Sequence, residues 1–173
     1  MTFSEAAQFL SATPIDNLQP AQWADLGCGN GLFTTVLSAR LHSGSNIYAV
    51  DKRLPSSLQT ANNEITITPV KADFVEDDLA LYGLSGILMA NALHYVKNKT
   101  ALLQKLKTYL LPDAIFIIIE YDTTRANQWV PYPVPFTELQ ELFAANGFQH
   151  VQKTGERKSL YQSGRMYVCL VKT

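Results

Sequence analysis

Residues 23 to 31 read Trp-Ala-Asp-Leu-Gly-Cys-Gly-Asn-Gly, with Asp25 closing an apolar lead-in and glycines at every second position, Gly27, Gly29 and Gly31. Glycine has no Cβ and accepts positive φ, so such a loop turns sharply and leaves bare backbone against which a ligand can lie. A helical pattern starts at once, adding free N–H groups and the positive end of a helix dipole. A strand, a glycine loop and a helix in that order predict a site for a nucleotide-like cofactor. Asp51, 24 residues after Gly27, ends a second apolar stretch. A carboxylate there can accept hydrogen bonds from both hydroxyls of a ribose, which would serve a nicotinamide dinucleotide equally well.

The spacing of the glycines separates the cofactors. The dinucleotide fingerprint is G-x-G-x-x-G. Here the third glycine comes one residue early and Leu32 holds the dehydrogenase position. The string Asp25-Leu26-Gly27-Cys28-Gly29-Asn30-Gly31 instead resembles motif I of the class I S-adenosylmethionine (SAM)-dependent methyltransferases. The resemblance extends to Asp51, Asp73 and residues 91–95, and more weakly over nearly the whole chain. It implies that the loop backbone at Gly27, Cys28, Gly29 and Gly31 faces the amino-acid part of SAM. Asp25 would interact, often through water, with the ligand ammonium. Asp51 would take the ribose, Asp73 would accept from the adenine amino group, and Phe74 would offer its ring an apolar face. Asn91, in Met89-Ala90-Asn91-Ala92-Leu93-His94-Tyr95-Val96, would approach the methionine end, and Leu93 to Tyr95 the transfer site. On the residues alone, Asp51 also reads as a surface turn and Asp73 as a helix cap beside a core Phe74.

SAM carries an electrophilic methyl, so its enzymes must mainly orient a nucleophile and exclude water. Orientation alone can supply about 7–11 kcal/mol. A general base, needed only for a protonated nucleophile, adds about 10²–10⁴-fold. His94 is the candidate base, since imidazole titrates near neutrality; a positioning or structural histidine is the competing reading. Substrate walls are expected from Tyr95 and from residues 120–136, where Pro131, Pro133 and Pro135 stiffen the chain. There Tyr121, Trp129 and Tyr132 can line an apolar pocket, or serve as core on the sheet edge. Cys28 reads as a small residue in a crowded loop rather than a nucleophile. No His/Cys/Asp cluster has ligand spacing, so no metal is predicted. Asn91 is followed by Ala92-Leu93-His94, not by the Pro-Pro-aromatic sequence of amino-methylating DNA enzymes.

With 173 residues, 47% of them hydrophobic and 17% charged, the chain reads as one globular domain. Its net charge of −1 argues against a nucleic-acid partner. No apolar run approaches the ~20 residues of a membrane span, and the first residues do not resemble a secretion signal. Two cysteines fit a reducing cytoplasm better than a disulfide framework.

The patterns predict helices at 3–10, 31–41, 56–61 and after Asn98, the last with Leu102, Leu103, Leu106 and Leu110 on its core face and Pro112 closing it. Thr137 and Gln140 suggest a capping box opening another helix, which Asn146-Gly147 would end. Strands are predicted at 22–26, 46–50, 65–70, 86–90 and 114–121, with two more around Gln162-Ser163-Gly164. Together they give an α/β fold: a doubly wound, mostly parallel seven-stranded sheet with an antiparallel C-terminal hairpin and helices on both faces. The leading expectation is methyl transfer to a small-molecule acceptor, with a SAM-binding module or an NAD(P) oxidoreductase as alternatives. The oligomeric state is left open.

Overall fold

Strand β5 (Leu110–Asp122) is an interior strand of a seven-stranded sheet of order β3-β2-β1-β4-β5-β7-β6. In the computed structural model, residues 1–15, 18–60, 64–159 and 164–172 are described. The other strands are β1 (Gln22–Leu26), β2 (Asn46–Asp51), β3 (Thr66–Lys71), β4 (Leu84–Ala90), β6 (His150–Lys158) and β7 (Arg165–Lys172). Pairing is parallel from β3 through β5 and antiparallel at β5/β7 and β7/β6.

The apolar run of β5 is covered on both faces, as an interior strand requires. Phe116 and Ile118 join a core with α3 (Lys99–Lys107) and α4 (Phe136–Ala145). Ile117 and Ile119 point the other way, to α1 (Phe3–Leu10) and α2 (Leu32–Ser38). Side chains alternate along a strand, so one sequence stretch feeds both layers. Arg40 locks α1 in place by donating from its guanidinium to the carbonyls of Leu10 (2.5 Å) and Thr13 (2.6 Å).

Four local expectations are corrected. Residues 56–60 form no helix, and Ala61 lies outside the described residues. Instead Gln59 offers its carbonyl to the Thr35 hydroxyl at 2.7 Å, and Leu58 packs over Gly31. Leu110 is not on a helix: α3 ends at Lys107, and Leu110 opens β5 beside Leu84. The register then shifts between Leu84 and Gly86, which lets Pro112, lacking an N–H, stand in the strand at an exposed bulge. Thr137 and Gln140 do not cap α4. Pro135 is its N-cap, and the Phe136 N–H is taken by the Asp122 carboxylate at 3.0 Å. A capping box does form at α1, between Thr2 and Glu5. The C-terminal strands are a hairpin as expected, although Gln162 and Ser163 at its tip lie outside the described residues.

The strand order reverses between β1 and β4. Open α/β sheets open a crevice at such a switch point, beyond the carboxyl ends of the strands.

Candidate cofactor and acceptor site

The glycine loop fills one side of that crevice. The N–H groups of Gly27 and Cys28 both donate to the Val50 carbonyl, at 2.8 and 3.1 Å, which turns the chain back over the end of β2. Gly29 N–H donates to the Asp51 carboxylate at 2.9 Å, and Arg53 N–H to its other oxygen at 2.9 Å. Gly27 has φ +79°, and a Cβ there would stand 2.7 Å from that of Ala92. Only glycine satisfies both demands. Gly31 caps α2 at φ +83° under Leu58 and does not line the cavity.

Among the described residues, two buried oxygens at this crevice lack hydrogen-bond partners. Asp25 is 1% exposed. One carboxylate oxygen accepts from the Thr34 hydroxyl at 2.6 Å, and the other accepts from nothing. Burial raises its pKa to about 7, opposed by the Thr34 hydrogen bond and aided by the nearby charge of Asp51. Asn91 holds the left-handed conformation at φ +54°, with its N–H fixed to the Ile119 carbonyl at 2.8 Å and its side-chain oxygen buried and unpartnered. An unsatisfied buried acceptor costs about 1–3 kcal/mol, and positive φ at a non-glycine residue adds strain. Both residues line a cavity of about 1000 Å³. They suit a ligand with cationic or N–H-bearing groups there, as the amino-acid end of SAM provides.

The same cavity gathers Gly27, Cys28 and Gly29 with Asp51, Asp73, Phe74, Tyr95 and Tyr121. Burial, with Asp25 and Asp51 close by, pushes the Cys28 thiol up to about 12, so it stays protonated and is not a nucleophile. Asp73 is more engaged than expected: Lys52 stands 2.6 Å from one oxygen and Val75 N–H donates to the other at 3.0 Å. Partial burial opposes its ionisation, but these contacts outweigh it and hold the carboxyl below its usual range. Carboxylate oxygens keep further lone pairs, so Asp51 and Asp73 can still accept from a ligand.

His94 lies in a short 3₁₀ turn, Leu93–Tyr95, and is 2% exposed. Its Nδ1 stands 2.7 Å from Glu120 Oε2, and its backbone N–H donates to Glu120 Oε1 at 3.0 Å. Where Glu120 accepts from the ring, Nδ1 is the donor, and Nε2 of the neutral imidazole then keeps its lone pair. The imidazole borders a second hollow of about 510 Å³, which shares Asn91, Tyr95 and Tyr121 with the first and adds Trp129. The ring centroids of Tyr95 and Tyr121 lie 4.3 and 5.8 Å from that of His94.

The proline segment divides between its two readings. Val130 and Val134 are buried, and the Tyr167 hydroxyl donates to the Val134 carbonyl at 2.6 Å, so the aliphatic residues are core. Trp129 stands 68% exposed on the rim of the hollow. Tyr132 reaches neither cavity. Its carbonyl accepts from Lys99 Nζ at 2.9 Å and its N–H donates to the His94 carbonyl at 3.0 Å.

Sequence reasoning missed Glu120, Thr34, Met166 and Arg157. The last two line the cavity from the C-terminal hairpin. Among the described residues no group of three or more His, Cys, Asp or Glu is placed to hold a metal. None of their helices is long and apolar enough to cross a membrane.

Comparison with known proteins follows the fold. Solved structures superpose over nearly the whole chain. A candidate O-methyltransferase of Nostoc punctiforme is 17% identical, with TM-score 0.67, over 99% of this chain and 55% of its own. This chain thus spans about half of that protein. The Burkholderia thailandensis 1,6-didemethyltoxoflavin-N1-methyltransferase is 19% identical, with TM-score 0.66, over 99% of this chain and 77% of its own. A SAM-dependent methyltransferase of Aquifex aeolicus is 16% identical, with TM-score 0.68, over 98% and 90%. At these identities the likeness is one of fold. No curated protein sequence matches the chain. The methyltransferase domain family matches residues 2–153. With that match added to a glycine loop at a β1/β4 switch point and an antiparallel β7, the chain belongs to the class I, Rossmann-like SAM-dependent methyltransferases.

Proposed function

We propose that this protein transfers the methyl group of SAM to a small-molecule acceptor, with His94 as general base. The observation that carries the reading is the pair of unpartnered buried acceptors, Asp25 and Asn91, within one crevice that also reaches the hollow beside His94. When bound, SAM supplies a methyl on a positively charged sulfur, which leaves to a nucleophile without acid assistance. Asp25 and the loop backbone hold the amino-acid end, with Asp51 on the ribose and Asp73 and Phe74 around the adenine. Asn91 marks the methionine end.

The chain's own contribution to chemistry is positioning and one proton. Tyr95, Tyr121 and Trp129 wall the acceptor hollow, and His94 Nε2 takes the proton that a hydroxyl or amine nucleophile sheds as its new bond to carbon forms. Glu120 fixes the imidazole tautomer and stabilises the imidazolium that results. A hollow of about 510 Å³ suits a small molecule. One structural relative was crystallised with 1,6-didemethyltoxoflavin and S-adenosylhomocysteine bound, which supports the same scale of acceptor. Net charge −1 supports a non-nucleic-acid acceptor, and two free cysteines support a cytoplasmic setting.

Calorimetric titration with SAM, S-adenosylhomocysteine and NADH, followed by a screen for methyl release, tests the reading. Binding of the first two and turnover of a small acceptor are expected. Uptake of NADH with neglect of SAM would overturn it, and tight SAM binding without turnover on any acceptor would leave a binding module.

A further inference from the structure

One charged side chain of the main cavity comes from the C-terminal hairpin and has no part in the proposed chemistry. Charged side chains around the cavity are Asp25, Asp51, Lys52, Arg53, Asp73 and Arg157. The first five belong to β1, the end of β2 and the loop after β3, where the cofactor is assigned. Arg157 comes from β6, on the opposite side. Tyr121 pairs with Met166 across β5/β7, and Met166 pairs with Arg157 across β7/β6. Residues directly opposite in antiparallel strands share a face. Tyr121, Met166 and Arg157 therefore form one row along the cavity. Two interstrand steps put the backbone of Arg157 about 10 Å from that of Tyr121.

The guanidinium of Arg157 is poorly committed. Its ionic neighbour among the described residues is Glu5, at 3.6 Å, with Glu5 43% exposed. That separation is too long for a hydrogen bond. Its stem and charge lie over the Phe9 ring, 5.8 Å from the centroid. Arg157 lines the cavity with its side chain 20% exposed, and its guanidinium carries five N–H donors. A planar fork in that state matches a carboxylate or phosphate in two-point contact.

We propose that Arg157 binds the anionic group of the methyl acceptor, so that the acceptor is a small planar acid. The aromatic faces of Tyr95, Tyr121 and Trp129 receive its apolar body, and its nucleophile lies toward His94. This rests on the methyltransferase reading above and narrows its acceptor class.

The test titrates matched probes, hydroxyaryl carboxylic acids of one and two rings and their primary amides, into protein saturated with S-adenosylhomocysteine. Wild type is compared with R157Q and with R157M, which keeps the stem over Phe9. The acid is expected to bind wild type at least tenfold more tightly than its amide. Both variants should lose that preference while their affinity for S-adenosylhomocysteine stays within twofold. Equal binding of acid and amide, or no binding of either, overturns the proposal. A tenfold loss of S-adenosylhomocysteine affinity in both variants also overturns it, because Arg157 would then hold the cofactor's own carboxylate. Failure of wild type to bind S-adenosylhomocysteine at all would instead sink the methyltransferase reading beneath it.

Discussion

The imidazole of His94 and the carboxylate of Glu120 meet at 2.7 Å across 26 residues of chain, both almost fully buried. Glu120 accepts twice from His94, once from the ring and once from the backbone, so it fixes both the orientation and the tautomer. Glutamine at 120 would present an amide N–H to Nδ1, drive the proton to Nε2 and remove the lone pair that the proposed base uses. Glu120→Gln is therefore expected to lower kcat about 10²-fold, and His94→Asn by a similar factor. S-adenosylhomocysteine affinity should stay within twofold in each. Single-turnover methyl transfer beside calorimetry checks this; a variant at position 120 with full kcat would remove the base from the mechanism.

Asp25 links the cofactor site to pH. Its carboxyl titrates near 7 in the folded chain, against 3.8 when free, chiefly because it is desolvated. Between those values the folded protein holds a proton that the unfolded chain has released. Stability therefore falls as pH rises through that window, by a few kcal/mol over its full width, and is level above it. Asp25→Asn keeps the Thr34 hydrogen bond and carries no ionisable proton, so it should lose this component of the pH dependence. Denaturant melts of both proteins at about pH 5 and 8 measure the difference. An ammonium-bearing ligand favours the ionised form, so S-adenosylhomocysteine affinity should strengthen as pH rises toward 7 in wild type and not in Asp25→Asn. Parallel pH curves for the two proteins would refute the contact.

Trp129 and Tyr132 lie three residues apart but are expected to respond differently. Trp129 is on the rim of the hollow and largely exposed, so Trp129→Ala should raise the acceptor KM several-fold with little change in melting temperature. Tyr132 acts through its backbone, which holds Lys99 and His94, so Tyr132→Ala should leave acceptor KM nearly unchanged. Steady-state kinetics on any acceptor found distinguishes the two. The reverse ranking would mean that the Tyr132 ring swings into the site.

What could be read from the sequence was what depends on neighbours in the chain. The glycine loop, Asp51 at the end of β2 and Asn98 as the α3 cap each follow from a few adjacent residues. The interior β5 announced itself through its apolar run. Glu120 stayed hidden because its partner comes from another strand connection, and a Glu after Ile119 reads simply as the place where the strand reaches water. Arg157 stayed hidden because β6 alternates polar residues like any edge strand, and only the pairing with Met166 brings it to the cavity. Thr137 and Gln140 misled because Asp122, distant in sequence, had already taken the first free N–H of α4. Residues 56–60 misled because their one large apolar residue, Leu58, seals the glycine loop instead of facing a helix partner.

The interior place of β7, between β5 and β6, has a consequence for how the molecule is completed. Strands β1 to β4, with the glycine loop, lie within residues 22–90 and pair with one another in the order β3-β2-β1-β4. The row from Tyr121 through Met166 to Arg157 cannot exist until the chain as far as Lys172 has been made, since β6 waits for a neighbour that follows it. During synthesis, therefore, the side of the cavity built on the glycine loop is present in the chain well before the wall formed by Met166.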